Sequence, residues 1–529
     1  MVIRMSLLVI ELAREGSDFF PNDLKKAEDL FGDLIEKTGA NRMLVLRSDS
    51  SDEMPMGISD LSKKKGIDSD CLQVDRLMPN NWSGDEDPDE IWCEHLEKTI
   101  VNSGISNQDA ETMALLMNAG SNWSSSLLFV LAEIIGCSLW VTEGGAKSAN
   151  TAIEMGQVLS GDSSEVVLAR LADLNMEGQD WCSSKDLQGF PSMPKPKGIV
   201  NALGNALESE LVEKRKYQGR TEYRLTTLGR YHAMLALAKF DMLGKVKGSG
   251  RCLILFIRSS ENPEDLISYL KEHRKEFDYY AFIVGGIESS NEEQLSIEIH
   301  QMAHDLLGED RVISSPKDVC FSIPNSGGLL ESSSEVMRII HNIRKQNKGI
   351  EWTLEVGKIL SVLRPAIYQY SLLAEMSRVF FARQYPTDGV RQSYLRGSMH
   401  TLMLPHRSQI EAVRKVIDHN GASRFVGTAW LWNEKKPGTI MTITKVDGVY
   451  PFYEFNINEF QSVNRLRFSV SSAPANLLKR GLKDAFGRGA IELDRLVDST
   501  PSGAVSFDDV FSLTPIGLIS GSILYNNRS

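Results

Sequence analysis

Cysteine is scarce and scattered in this chain: six residues, at positions 71, 93, 137, 182, 252 and 320, with no C-x-x-C pair among them. Such spacing excludes a zinc finger or ribbon and offers no disulfide framework, so reduced thiols in a cytoplasmic protein are expected. Long apolar runs are missing too. The longest, Leu127 to Val141, contains Glu133 and is too short to span a bilayer, so no membrane partner is expected. The opening MVIRMSLLVIEL is interrupted by Glu11 and then Arg14, and lacks the small-residue cleavage site of a secretory signal. The chain has no H-E-x-x-H, no G-x-G-x-x-G and no low-complexity tract. Zinc proteolysis and nicotinamide chemistry therefore find no support, and neither a cofactor nor a metal is expected. Net basicity is also absent. With a net charge of −12 over 529 residues, the chain is not one that coats nucleic acid everywhere, so any such contact must be local.

A local basic region does exist. Residues 195–220 hold Lys195, Lys197, Lys214, Arg215, Lys216 and Arg220 against Glu208, Glu210 and Glu213, a net of +3. Within the segment LESELVEKRKYQGRTEYRLTTLGR (207–230), a helix is expected to end near Ser209. Two strands then flank a Gln218-Gly219 turn, and a Thr-Thr-Leu-Gly cap closes the second. Three helices are expected before this hairpin, in SSEVVLARLADLN, SSKDLQGF (183–190) and PKGIVNALGNALES. Three helices followed by a cationic hairpin is the order of a winged helix-turn-helix. In that reading the 197–209 helix offers Lys197, Asn201 and Asn205 to a major groove, where Asn pairs with adenine, while Lys214, Arg215, Lys216 and Arg220 meet phosphates.

Upstream, strand and helix patterns alternate. SLLVIELA (6–13), RMLVLRS (42–48), CLQVDRL (71–77), ETMALLMNAG (111–120) and CSLWVTEG (137–144) read as strands. Helices capped at Asn22 and ended at Gly39, from Pro88 to Ser103, and over 124–136 lie between them. An acidic, Ser-rich surface loop is expected before CLQVDRL. Alternation of this kind predicts a parallel, doubly wound sheet. The pattern restarts at RCLILFIRSS (251–260), continues through YYAFIVGG (279–286) and IEWTLEVG (350–357), and ends at MSRVFFARQ (376–384). The expected fold class is α/β: Rossmann-like parallel sheets combined with winged helix-turn-helix domains, duplicated within the chain. The expected domains are 1–148 and 250–385 (Rossmann-like), 160–246 (winged helix), and 386–529, a divergent α+β region. That last region should open with a helix over 408–419 and a three-strand meander over 424–456. Its close, VFSLTPIGLIS, echoes EYRLTTLGRYH.

The loop between the fourth strand and the following helix has the chemistry of a ligand site. Gly120, with Ala119 beside it in the loop, permits close backbone approach, and Asn118, Ser121, Asn122 and Ser124 supply small polar groups beside free helix N–H donors. With Asn118 and Gly120 placed before a helix, the segment resembles the CRISPR-associated Rossmann fold (CARF) family, whose loop reads Asn-x-Gly-Gly-Thr-Lys. Ser121, Asn122 and Trp123 stand where the family has Gly, Thr and Lys, so a phosphate-facing cation is lost. The resemblance implies a cyclic oligoadenylate or related nucleotide as ligand, a role in antiviral defence, and a homodimer or internal pseudo-dimer. It also implies further pocket residues after the first strand, here Arg14, Glu15 and Ser17. The second copy offers Gly357 and Lys358, with Arg258, Ser259 and Ser260, and reads as degenerate. The expected function is a ligand-responsive DNA-binding transcription regulator, with DNA and a small nucleotide as partners. Two alternatives stay open: a nucleotide-activated RNase or ring nuclease, for which Arg414 and His419 have the R-x4-H spacing, and a non-catalytic scaffold.

Overall fold

Stretches such as Leu7–Glu11 and Gly250–Arg258 carry consecutive apolar residues, the pattern of a strand covered on both faces. The computed structural model places both inside parallel sheets. It describes residues 7–12, 20–47, 53–73, 92–93, 96–97, 99–101, 105, 114–116, 122–143, 151–155, 164–190, 192–240, 250–258, 266, 270–271, 274–287, 292–323, 328–356, 359, 363–384, 399–435, 475–494 and 510–526. The first sheet comprises β1 (Leu7–Glu11), β2 (Arg42–Arg47), β3 (Asp68–Gln73), β4 (Ala114–Leu116), β5 (Ser138–Glu143) and β6 (Thr151–Met155), in the order β3-β2-β1-β4-β5-β6. β1 to β5 are parallel, and β6 runs antiparallel at the edge. Its helices include α1 (Leu24–Thr38), α2 (Met56–Lys65) and α3 (Asn122–Ile135).

A small unit follows. Helix α4 (Glu165–Met176) leads to β7 (Cys182–Ser183), and α5 (Pro196–Glu208) to the hairpin β8 (Val212–Tyr217) and β9 (Arg220–Leu225); α6 (Thr227–Phe240) closes it. The strand order is β7-β9-β8, all antiparallel.

The second sheet repeats the topology of the first. It contains β10 (Gly250–Arg258), β11 (Tyr279–Ile287), β12 (Cys320–Ile323), β13 (Ile350–Glu355), β14 (Arg378–Gln384) and β15 (Met399–Met403), in the order β12-β11-β10-β13-β14-β15. Again only the last strand is antiparallel. Helices α7 (Glu292–Leu307), α8 (Leu329–Gln346) and α9 (Arg364–Leu373) accompany it. The tail holds α10 (Arg407–Ile417), α11 (Asn420–Lys435), α12 (Ala475–Gly487), the antiparallel pair β16 (Ile491–Asp494) and β17 (Val510–Leu513), and α13 (Pro515–Asn526). The architecture is mixed α/β with Rossmann-like parallel sheets. Among the described residues no helix is long and apolar enough to cross a membrane.

Because side chains alternate along a strand, each sheet feeds two cores. Leu8, Ile10, Met43 and Val45 pack outward on α1 and α2. Leu253, Leu255 and Ile257 do the same against α7. The opposite faces (Leu7, Val9, Leu44 and Leu46; Cys252, Ile254 and Phe256) share one central core. That core is filled by α3, α6, α8 and α9, and the connections cross over. α3 of the first sheet packs on α9 of the second, α6 on α8 and α9, and α10 back on α3. Phe129 meets Tyr368 edge to face at 5.1 Å, and the buried Tyr231 hydroxyl donates to Gln369 Oε1 at 2.6 Å.

Several expectations give way. The surface loop expected before β3 contains α2, and β3 starts at Asp68 rather than at 71, while 74–77 lie outside the described residues. α1 is capped by Asp23, whose carboxylate accepts from Lys26 N at 2.9 Å, and not by Asn22. The short helix expected over 183–190 is β7 followed by turns. There the Asp186 carboxylate accepts from both the backbone and the hydroxyl of Ser183 at 2.7 Å, a local bond that competes with a helix. The meander expected from 424 begins instead as α11, and 436–456 lie outside the described residues. In α11 Ala422, Phe425, Val426, Ala429 and Trp430 are buried, a 3.6-residue period that outweighs the strand propensity of Phe, Val and Trp. Helices α6 and α7 and strands β6, β12 and β15 went unanticipated.

One local device recurs. After α5, Glu210 adopts φ +58°; after α12, Gly489 adopts φ +70°. The Thr226 hydroxyl donates to Glu210 O at 2.7 Å and accepts from Gly229 N at 3.0 Å. The Thr514 hydroxyl donates to Gly489 O at 2.6 Å and accepts from Gly517 N at 3.3 Å. Each glycine lies against backbone. An added Cβ would fall 1.7 Å from Leu211 O at Gly229 and 2.1 Å from Ala490 O at Gly517. Gly229→Ala and Gly517→Ala should therefore each destabilise the fold by about 3 kcal/mol. Gly204→Ala, in open space within α5, should stabilise by up to about 1 kcal/mol. Urea unfolding midpoints of the three variants check both signs.

The core also holds histidines. His341 and His300 are each 2% exposed. Burial, then the nearby Arg344 charge, pushes His341 down to about 3, and burial also lowers His300. In the unfolded chain such groups protonate near pH 6.5. The stability they contribute is therefore complete above that pH, and is lost as pH falls through the interval towards their folded values. His341 should add a slope of about 1.4 kcal/mol per pH unit between pH 6 and 5. Urea titrations of His341→Gln across this range should show a shallower decline than the parent chain.

Candidate functional site

The expected ligand loop follows β4, an interior strand flanked in parallel by β1 and β5. Asn118, Ala119, Gly120 and Ser121 lie outside the described residues, as do Arg14, Glu15 and Ser17. Asn122 and Ser124 fall within the first turn of α3, so this helix begins two residues before the expected start at 124. In the second copy Gly357, Lys358, Ser259 and Ser260 lie outside the described residues, while the backbone of Arg258 ends β10.

Buried ionisable groups gather at the carboxyl ends of the strands, where open α/β sheets hold their ligands. Glu11 ends β1 at 1% exposure, Arg47 ends β2 at 4% and Glu355 ends β13 at 0%. Sequence reading used Glu11 only as an interruption of an apolar run. Arg364, at the start of α9, was also missed. Its guanidinium donates to Val356 O at 3.1 Å and Ile359 O at 2.8 Å, tying together the chain after β13.

The proposed winged region is described almost completely. In α5 Ile199, Ala202, Leu203 and Ala206 are buried, whereas Lys197, Asn201 and Asn205 are exposed. Their i, i+4, i+8 spacing sets the three polar side chains on one outward face. The hairpin cations are exposed as well, but they divide. Lys214 and Lys216 share the pleat face of the buried Val212, and among the described residues neither side chain makes a hydrogen bond or ion pair; nor does that of Arg220. Arg215 is committed elsewhere. It bonds Glu222 at 2.8 Å and stacks on Trp181 at 4.2 Å and on Tyr217 at 5.0 Å. Arg224 repeats the arrangement, bonding Glu213 at 2.8 Å and stacking on Trp181 at 4.8 Å. Register explains this: Arg215 faces Glu222 and Glu213 faces Arg224 across the hairpin. Cross-strand pairing of the predicted hairpin accounts for the two ion pairs; Trp181, on which both guanidiniums stack, completes a brace that residue order does not show.

Each member of the R-x4-H pair has a partner of its own. Arg414 donates to Glu133 O at 3.2 Å, joining α10 to α3. His419 accepts from Ala422 N at 3.2 Å through Nδ1, at the entry of α11. A cleft of about 590 Å³ between α4, α6 and α8 presents Arg230 and Arg338, but Asp180, Glu331 and Glu335 balance them, so it does not select an anion. Among the described residues no group of His, Cys, Asp or Glu could hold a metal ion.

Removing the aromatic brace gives a direct test. Trp181→Ala should cost the hairpin about 1 kcal/mol, read as roughly fivefold faster hydrogen exchange at the amides of 212–225.

No protein-family model and no curated protein matches this chain.

Proposed function

We propose that the chain is a ligand-responsive, DNA-binding regulator, with the α4–α6 unit as a winged helix-turn-helix. The observation that carries this reading is the outward face of α5, with Lys197, Asn201 and Asn205, beside a hairpin whose Lys214, Lys216 and Arg220 are exposed and, among the described residues, without ion pairs. The strand order β7-β9-β8 around three helices suits that assignment. Amide side chains pair with adenine edges, and cations held on a hairpin neutralise phosphates. Arg215 belongs to the brace in this reading and shapes the wing without touching the duplex.

The sensor half rests on position and on the CARF-like residues. Asn118, Gly120 and Ser121 precede α3 at the carboxyl side of an interior parallel strand, where a nucleotide phosphate can meet helix N–H groups. α3 packs directly on α9 and α10, so a ligand favouring one placement of α3 biases the whole core. A second reading, a scaffold that binds protein through this unit, is favoured by Val200 and Tyr217, exposed at 53% and 51% beside the same polar face.

The test is duplex binding by fluorescence anisotropy over a range of salt, with and without cyclic tri-, tetra- and hexa-adenylate. Lys214→Ala, Lys216→Ala and Arg220→Ala combined should weaken all duplexes alike and flatten the log–log salt slope by about 3. Asn201→Ala should instead cost about 1–3 kcal/mol at particular base pairs. A chain that binds no duplex ends the regulator reading and leaves the scaffold. Duplex affinity that is indifferent to every nucleotide removes the sensor half.

A further inference from the structure

The tail repeats the local geometry that positions α5. Both α5 and α12 end in a left-handed residue, Glu210 and Gly489, held by a threonine hydroxyl and followed by a strand. The next residues, Leu211 and Ala490, bond back to Ala206 O at 2.8 Å and Ala485 O at 3.0 Å. Counting back equally from Glu210 and Gly489, Arg480 occupies the position of Asn201, Lys483 that of Gly204, and Asp484 that of Asn205. The buried positions agree in kind: Ala206 and Ala485, and Val212 and Ile491, are at most 2% exposed.

The outward chemistry does not agree. Where α5 shows two amides, α12 shows cations. The Arg480 side chain is 75% exposed and only loosely paired with Asp484, at 3.8 Å. Lys483 is exposed and makes no ion pair among the described residues. Lys479, Arg480, Lys483 and Arg488 against Asp484 give residues 475–488 a net of +3, within a chain of net −12. A guanidinium and an ammonium on one helix face suit phosphate oxygens and carry no base-reading pattern of their own.

We propose that α12 is a second contact for the same duplex, made to the phosphate backbone by Arg480 and Lys483. The two copies then divide the work: α5 reads bases and α12 adds sequence-independent grip. This inference rests on the reading that the α5 unit binds DNA. Linking the two contacts in one chain makes the second intramolecular, so its effect exceeds that of two charges alone on a duplex long enough to span both.

The experiment is anisotropy on the full chain with a duplex of about 40 base pairs, comparing the parent, Arg480→Glu with Lys483→Glu, and the neutral pair Arg480→Gln with Lys483→Gln. Both positions are exposed, and unchanged melting midpoints will verify folding. The charge-reversed pair should weaken binding about tenfold or more. The neutral pair should flatten the log–log salt slope by about 2 without changing the ranking of duplex sequences, in contrast with Asn201→Ala. If the parent binds and the neutral pair has the same affinity and slope, the second contact is wrong while the α5 reading stands. If the parent binds no duplex, the α5 reading itself falls and takes this inference with it.

Discussion

Three helices that are buried nearly all round hold this molecule together. In α3, Leu128 to Ala132 and then Ile134 and Ile135 are all buried; in α9 every residue from Arg364 to Leu373 is. In α6 Ala233 to Ala238 are buried without a break. Helices of that kind have no face to offer water, so each must be enclosed by other elements. The two sheets therefore do not stand apart. Their inner faces close over a shared core, and the small unit that follows the first sheet is drawn onto the helices of the second.

Polar groups inside this core are costly unless paired. Tyr231 donates to Gln369 across the junction, and Tyr368 donates to Pro405 O at 2.9 Å. Burial, with the Glu133 charge nearby, pushes both tyrosines well above their usual range, so the hydroxyls stay neutral donors. Polar links also bind the crossed connections at the rim: Lys345 to Asp173 at 3.1 Å, and Trp430 Nε1 to the Glu97 carboxylate. In the proposed regulator this interlock is what lets one end of the chain influence the other. α3 starts at the suggested nucleotide loop and packs on helices that carry both the α6 unit and the tail. A packed core responds by switching between arrangements rather than by bending smoothly.

Much of this was legible from residue order alone. Apolar runs identified β1, β2, β10 and β11 as strands of parallel sheets, the strand–helix alternation added β13, and Gln218-Gly219 between alternating segments identified the hairpin. Errors fell where a local signal was weak or pointed the wrong way. α2 (MGISDLSKKK) has few apolar residues, and it packs so close to the Pro21 and Asp23 carbonyls that Gly57 leaves no room for a side chain. α11 contains good strand formers, yet its helical spacing buries Trp430 against Gly521 of α13. For the candidate site, the α5 face and the exposed hairpin lysines were visible in the sequence. The Trp181 brace was not, because nothing in residue order shows that Arg215 and Arg224 converge on one ring.

Sequence by itself determined the local menu. It set which apolar runs are strands, and it placed the Thr-x-x-Gly segments that lock both units, because propensity, period and backbone sterics act over a few residues. Tertiary structure alone decided the crossed packing of α6 on α8 and α9 and of α10 on α3. It also decided the equal strand order of the two sheets and the division of the hairpin cations between a brace and an open face. Those outcomes depend on which apolar surfaces fit and on which charges meet across strands. Both are properties of residues far apart in the chain, and neither propensity nor period reports them.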